Sequence, residues 1–419
     1  MQTSPATPTE VIESLDVGDH RNLSRLSVRA LLGFALMGFR FVTRRTYSVR
    51  PMGAPEIVHV IANPVAHGAA LSSAVSDSLS GMKVARIADA RLADPTIGVD
   101  FDAAGLSPRS MSAILSRGHL ARAIRLRTST PRSAVRSLST SWLYSEYLFV
   151  AQAVRYFVAE DVLATIPDST TVLTDFDRHA YARPWVVAAK RRGLPTVTMM
   201  HGSPNARYYV PVLADTALVW GQAQVEWLSR HSPDTVARTI GRPELEAGIT
   251  DTTPLKRAIV CHSAEDLTSG EANRMASAIS MIQARGIRVS LRLHPSATSG
   301  AGATWSPVQN IADETIMSRG SFVASLAPGD GVVVVTSTSA VEALTTGYRV
   351  LVLADAERDL PSDLEAMRSL PSNTVETFLN DHEIEHSFRE GIVAHTGEEA
   401  RRKLKSVLAQ QGVSLRRVE

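Results

Sequence analysis

The sequence predicts an α/β protein built from two doubly wound parallel sheets. Short β-branched runs alternate with helix-period stretches in two successive blocks, one from about Glu56 and one from about Leu255. A Gly-, Thr- and Pro-containing segment, Gly241 to Pro254, separates the blocks. The length agrees, since 419 residues supply two to three domains at roughly 100–200 residues each.

In the first block, Ile57-Val58-His59-Val60-Ile61 reads as a strand entering the Asn63-Pro64 turn. Met82 to Ile87 and Thr96 to Val99 are weaker strand candidates. Trp142 to Glu160 carries apolar residues at helical spacing and reads as a long helix. Thr170 to Thr174 and Thr196 to Met200 are strands, and between them Ala180 to Arg192 is a helix stopped by Gly193. In the second block the strands are Ala258 to Cys261, Ile287 to Leu293, Gly331 to Thr336 and Arg349 to Leu353. The four valines Val332 to Val335 suit a strand buried on both faces. Helices cover Gly270 to Arg285 and Ser339 to Thr346, with the last helix at Glu398 to Gln410. The expected organisation is a tail and basic segment over 1–50, a first domain over 51–245, a second over 250–385 and C-terminal helices over 386–419.

Composition narrows the function. Lys and Arg total 44 against 42 Asp and Glu, a net charge of +2, which argues against a nucleic-acid binder driven by bulk charge. The single cysteine, Cys261, excludes a disulfide framework and cysteine zinc clusters and suits a reducing, cytoplasmic setting. No stretch reaches the roughly 18–20 uncharged apolar residues of a spanning helix. Two segments lack acids altogether: Arg21 to Arg50 and Ala103 to Ser145, each with seven arginines. Leu32, Leu36 and Phe39 share one helical face in the first, so it reads as a core-docking helix or one that lies on an anionic membrane surface. The second reads as a solvated helix face or a dock for an anionic acceptor or headgroup.

In doubly wound sheets ligands bind beyond the carboxyl ends of strands, so residues just after strands are the candidates. Arg292-Leu293-His294-Pro295 follows a strand. Pro295 restrains the backbone, His294 can donate to a phosphate oxygen and Arg292 can add charge. Ser337-Thr338-Ser339 follows the valine strand and opens a helix, where hydroxyls and backbone N–H groups suit a phosphate. Thr338 or Ser339 equally suits a plain N-cap, with Glu342 completing a capping box if Ser339 is the cap. Glu342 alternatively reaches a ribose hydroxyl. Asp175-Phe176-Asp177 ends a strand of the first block and offers a general base, an N-cap, or formally a DxD metal triplet. Arg183 lies further into the following helix and can bind an anionic group. His201-Gly202 follows the next strand: His201 is a candidate base or phosphate contact, Gly202 permits close backbone approach, and Tyr208 and Tyr209 can wall a pocket. No GxxxxGK[ST], strand-end GxGxxG, HExxH or GxSxG is present, so P-loop, dinucleotide, zincin and serine-hydrolase readings fail.

Together these residues resemble bacterial surface-polysaccharide glycosyltransferases of the GT-B fold, the broad group that includes capsule and polysialyltransferase-like enzymes. The resemblance rests on Asp175 to His179, His201-Gly202, Ala214 to Gly221, Gly241-Arg242-Pro243, Arg292 to Pro295, Ser337 to Ser339 and Glu342-Ala343, across roughly residues 165–355. It implies two Rossmann-like domains facing a cleft. The C-terminal domain would hold a nucleotide-sugar donor, first a CMP-sugar, through Arg292, His294, Pro295, Ser337, Thr338, Ser339 and Glu342. Asp177, Asp175 or His201 would supply the base, and Arg183, Gly202 and Tyr208 would serve the acceptor side. It implies an inverting transfer with neither metal nor cofactor. The acceptor would be a cell-surface polysaccharide or glycolipid, reached from the cytoplasm or the inner membrane face. Rival expectations are a glycerophosphotransferase or sugar-nucleotide epimerase on the same fold, or a non-catalytic binding or scaffold protein.

Overall fold

The computed structural model describes residues 53–61, 67–88, 109–110, 117–136, 142–175, 182–246, 248, 251–263, 265–294, 297, 302–317, 322–380 and 386–414. The Asn63-Pro64 turn, the Thr96 to Val99 candidate strand and the basic segment 21–50 lie outside these residues.

The first sheet has seven parallel strands: β1 Ile57–Ile61, β2 Val84–Ala88, β3 Arg109–Ser110, β4 Thr171–Thr174, β5 Thr196–Met199, β6 Thr216–Val219 and β7 Val236–Thr239. Their spatial order is β3-β2-β1-β4-β5-β6-β7. The second sheet has five: β8 Arg257–Cys261, β9 Arg288–Arg292, β10 Glu314–Ile316, β11 Asp330–Val334 and β12 Arg349–Val352, in the order β10-β9-β8-β11-β12. All pairings are parallel. In both sheets the chain starts in the middle, builds to one edge, then crosses back to build the other. The order therefore reverses between β1 and β4 and between β8 and β11, and each reversal leaves a crevice at the carboxyl edge.

Two apolar layers cover the first sheet. On one face Val58, Val60 and Val172 pack against Phe149, Val154 and Val158 of the Trp142–Leu163 helix and Trp185 of the Arg183–Arg191 helix. On the other, Ile57, Leu173 and Val197 meet Leu71, Val75 and Leu79, together with Leu404 and Leu408. The last two belong to the final helix, Gly397–Ser414, which thus returns from the second sheet to the first. The second sheet is covered by Met275, Ile279 and Ile282 of the Ser269–Ala284 helix on one side. The other side is covered by Ala340, Val341 and Leu344 with Leu364 and Ile392, and Trp220 from the end of β6 joins this layer. Thr268 and Glu271 form a reciprocal capping box that starts the Ser269–Ala284 helix.

The acid-free stretch 103–145 is partly neutralised by folding. The Arg117–Ser129 helix lies against the Trp142–Leu163 helix. There Arg122 pairs with Glu160 and Asp161, and Arg127 pairs with Glu146. These two arginines are therefore held by carboxylates of the same domain rather than offered to an anion.

Candidate functional site

At the carboxyl edge of the second sheet the central strand β8 ends at Cys261, in register with Arg292 of β9. Arg292 is 8 % exposed, and its guanidinium stands 4.8 Å from the Phe322 ring centroid. The next residue on the central strand, His262, accepts at Nδ1 from the backbone N–H of His294 at 3.3 Å. That acceptor role puts the proton of the neutral ring on Nε2. The His262 ring also lies 4.8 Å from Trp305, whose indole donates to the Glu265 carbonyl. Across the crevice, Ser337 donates to the Ser339 hydroxyl at 3.1 Å. Burial pushes the Cys261 thiol up to about 12, against the pull of Arg292 and of a hydrogen bond with Ser339. The thiol is thus neutral at ordinary pH and serves as packing, not as a nucleophile. Arg292, His262, His294, Ser337 and Ser339 all stand at the carboxyl ends of β9, β8 and β11, the strands around the β8–β11 reversal.

Of the two N-cap candidates the position falls to Thr338, so the capping box that Ser339 and Glu342 would have made does not form. The helix starts at Ser339 with Thr338 at the N-cap, and no side chain caps it. At seven residues this helix is short, so its dipole adds little charge at this edge. The Glu342 carboxylate instead stands 3.8 Å from the guanidinium of Arg242, on the segment leaving β7. Arg242 also bonds Glu244 at 2.7 Å and lies 4.4 Å from the Trp220 ring.

At the carboxyl edge of the first sheet, Asp175 follows β4 beside the β1–β4 reversal and is 2 % exposed. His201 follows β5, and its ring stacks on Tyr209 at 5.9 Å; Tyr209 in turn meets Trp227 edge-on at 6.5 Å. Gly202 leaves room here for Tyr209, since a Cβ on it would stand 2.6 Å from the Tyr209 hydroxyl and one of the two would have to shift. The close approach is to this tyrosine. Arg183 is buried at the start of the Arg183–Arg191 helix. Asp177 and Pro295 lie outside the described residues, as does the Tyr208 side chain.

The two edges are joined by buried polar contacts. Asp363, on the Ser362–Arg368 helix, accepts from Gln224 Nε2 at 2.9 Å, and its backbone N–H donates to Ser203 Oγ at 3.0 Å. Ser362 N–H donates to the Pro204 carbonyl at 2.8 Å. Gly241 has φ +80° and lies against the His395 carbonyl, which accepts from the Arg242 N–H at 2.8 Å. The second sheet thereby sets Arg292, His294, Ser337 and Ser339 along one carboxyl edge, while Asp175 and His201 belong to the carboxyl edge of the first sheet. Sequence reasoning missed His262, although it too stands just after a strand. It also missed Asp363, which no strand-end rule reaches.

This is the GT-B class of fold: two Rossmann-like domains whose carboxyl edges face one another. Among solved structures it is similar to the S. aureus MnaA–UDP co-structure, at 12% identity and TM-score 0.50, covering 86% of this chain and 97% of that one. It is equally similar to the UDP-GlcNAc 2-epimerase from Neisseria meningitidis bound to UDP-GlcNAc, at 14% identity and TM-score 0.50, covering 85% and 99%. A further UDP-N-acetylglucosamine 2-epimerase matches at 14% identity and TM-score 0.50, covering 86% and 98%. No family model matches the chain, and no curated protein matches it in sequence. At these identities the likeness is one of fold, and the resemblance to polysialyltransferase-like enzymes gains no sequence match.

Proposed function

We propose that the protein is an enzyme that breaks the bond between a sugar's anomeric carbon and a nucleotide phosphate. The observation that supports this reading is the crevice at the β8–β11 reversal, with Arg292, His262, His294 and the Ser337–Ser339 turn at the strand ends around it. A buried guanidinium and ring N–H donors beside hydroxyls suit a phosphate that gains charge as it leaves. The first reading is inverting, metal-independent glycosyl transfer. The acceptor hydroxyl of a surface polysaccharide or glycolipid gives its proton to Asp175, Asp177 or His201 and attacks the anomeric carbon. The phosphate departs toward Arg292 and His294, while Glu342, held by Arg242, is not assigned a contact with the sugar or ribose. The second reading, sugar-nucleotide epimerisation, is supported by the names of two structural neighbours, both UDP-GlcNAc 2-epimerases. Those names also make a uridine nucleotide the first donor to try, ahead of the CMP-sugar expected from the sequence.

The test is incubation with UDP-GlcNAc, and separately with CMP-sugars, followed by NMR. Transfer predicts free nucleotide only when an acceptor is supplied. Epimerisation predicts a new sugar-nucleotide isomer without acceptor. Full activity in both R292A and H294A would contradict the site in either reading.

A further inference from the structure

We infer that the outer face of the Arg117–Ser129 and Trp142–Leu163 helix pair, at its cleft-side end, docks on an anionic lipid surface. The Trp142–Leu163 helix leads into β4, so its C-terminus lies at the amino edge of the sheet and Trp142 at the carboxyl edge. Its 22 residues span about 33 Å, against about 13 Å for the four residues of β4, so the Trp142 end reaches well along the carboxyl side. The Arg117–Ser129 helix runs antiparallel to it: Arg122 meets Glu160 and Asp161 at the far end, and Arg127 meets Glu146 near Trp142. The turn and short helix that follow, with Arg132 and Arg136, therefore stand at the same end as the candidate acceptor residues Asp175 and His201.

The surface there is cationic and carries apolar groups. Trp142 is 56 % exposed and Ile124 is 49 % exposed. Arg125, next to Ile124 in sequence, is exposed, as are Arg132 and Arg136 of the short helix that follows. The sequence from Ala103 to Ser145 holds no acid, and the next carboxylate, Glu146, is already neutralised by Arg127. Arg132 also acts on Glu146, which places its charge beside Trp142. The indole N–H donates to Glu146 at 3.2 Å, which holds the ring at the surface. Exposed indole and isoleucine amid arginines is the chemistry of a headgroup-level contact: the cations meet lipid phosphate and the apolar groups meet the acyl boundary. A chain with net charge +2 has no global excess that would make such a patch a by-product. The inference stands on the patch alone and does not need the proposed reaction.

The experiment is flotation of the full chain with vesicles of equal phosphatidylglycerol and phosphatidylcholine, and with phosphatidylcholine alone. The wild type is expected to partition into the anionic vesicles only, and to be released as salt rises. R125Q/R132Q/R136Q is expected to partition roughly a hundred-fold less, from the attraction each basic residue loses at the surface. A control with the same charge loss on other exposed arginines, R230Q/R285Q/R402Q, is expected to bind as the wild type does. Unchanged melting temperatures show that both variants fold. No vesicle binding by the wild type, equal binding by the first variant, or an equal loss in the control would overturn the inference. So would preference for a soluble anionic polysaccharide over the vesicles.

Discussion

The Arg242 guanidinium stands 3.8 Å from the Glu342 carboxylate and so ties the segment leaving the first sheet to the helix beside the second sheet's crevice. Both side chains are about nine-tenths buried. Arg242 is further held by Glu244 and by the Trp220 ring. One planar cation thus serves two carboxylates and an aromatic face, a set of contacts that a lysine cannot reproduce.

Removing this cation takes from the buried Glu342 and Glu244 the charge they share. R242A is expected to lower the unfolding free energy by about 3–5 kcal/mol, the usual cost of breaking a buried ion pair. R242K keeps the charge but not the stacking, and is expected to cost less. Urea titration of both variants checks the order; equal stability of R242A and wild type would contradict it.

The final helix is expected to be part of the first domain's core. Leu404 and Leu408 pack with Ile57, Leu71 and Leu173. L404A should destabilise by about 2–5 kcal/mol, as large-to-small core changes do. If the helix were a detachable tail, thermal unfolding of L404A would match the wild type.

His59 makes the fold acid-sensitive. It is fully buried on β1, and among the described residues neither ring nitrogen has a hydrogen-bond partner. Burial, reinforced by the Arg86 charge, pushes its pKa down to about 3. The unfolded ring titrates near 6.5, so between about pH 6.5 and 3 the unfolded state binds the extra proton and stability falls as pH falls. H59L removes this dependence. Relative to the wild type it should gain about 2 kcal/mol between pH 7 and pH 5, read by urea unfolding at both values. A gap that does not change with pH would rule the effect out.

Asp363 acts with the opposite sign. Burial raises its carboxyl to about 6, opposed by bonds from Ser203 and Gln224 and by the charge of Arg242. The folded state therefore holds a proton, between about pH 4 and 6, that the unfolded state has released. Stability contributed by the protonated form is lost as pH rises through 6. D363N lacks this titration, so its stability relative to the wild type should rise by about 2 kcal/mol from pH 4 to pH 7.5. Paired melts across that range check it.

The parts of this account that were legible in the sequence share a physical cause. β1, β4, β8 and β11 are apolar, β-branched and buried on both faces, so their residues alone betray them. β7 is the contrary case: Val236 to Thr239 alternates exposed and half-buried residues at the sheet edge, and its short run carries little signal. β3 has two residues and β10 three, too few for any period to show. Arg292, His294 and Ser337 could be singled out as candidates because position at or just after the end of a strand is a local property. The partnership of Arg242 with Glu342, and of Asp363 with Gln224, spans a hundred residues or more and exists only once the domains dock. The start of the Ser339–Thr345 helix shows the limit of a local pattern, since Thr338 and Ser339 both suited the cap, and the contact of Glu342 with Arg242 is set by tertiary charge.

The central claim is that the crevice at the β8–β11 reversal binds the phosphate of a nucleotide. Isothermal titration of UDP, CMP, CDP and GDP into the wild type and R292A tests it most directly. At least one nucleotide is expected to bind, and R292A to bind it about 10–100-fold more weakly, as the loss of a hydrogen-bonded charge requires. No binding by any of the four, or equal affinity in R292A with its fold intact, would contradict it.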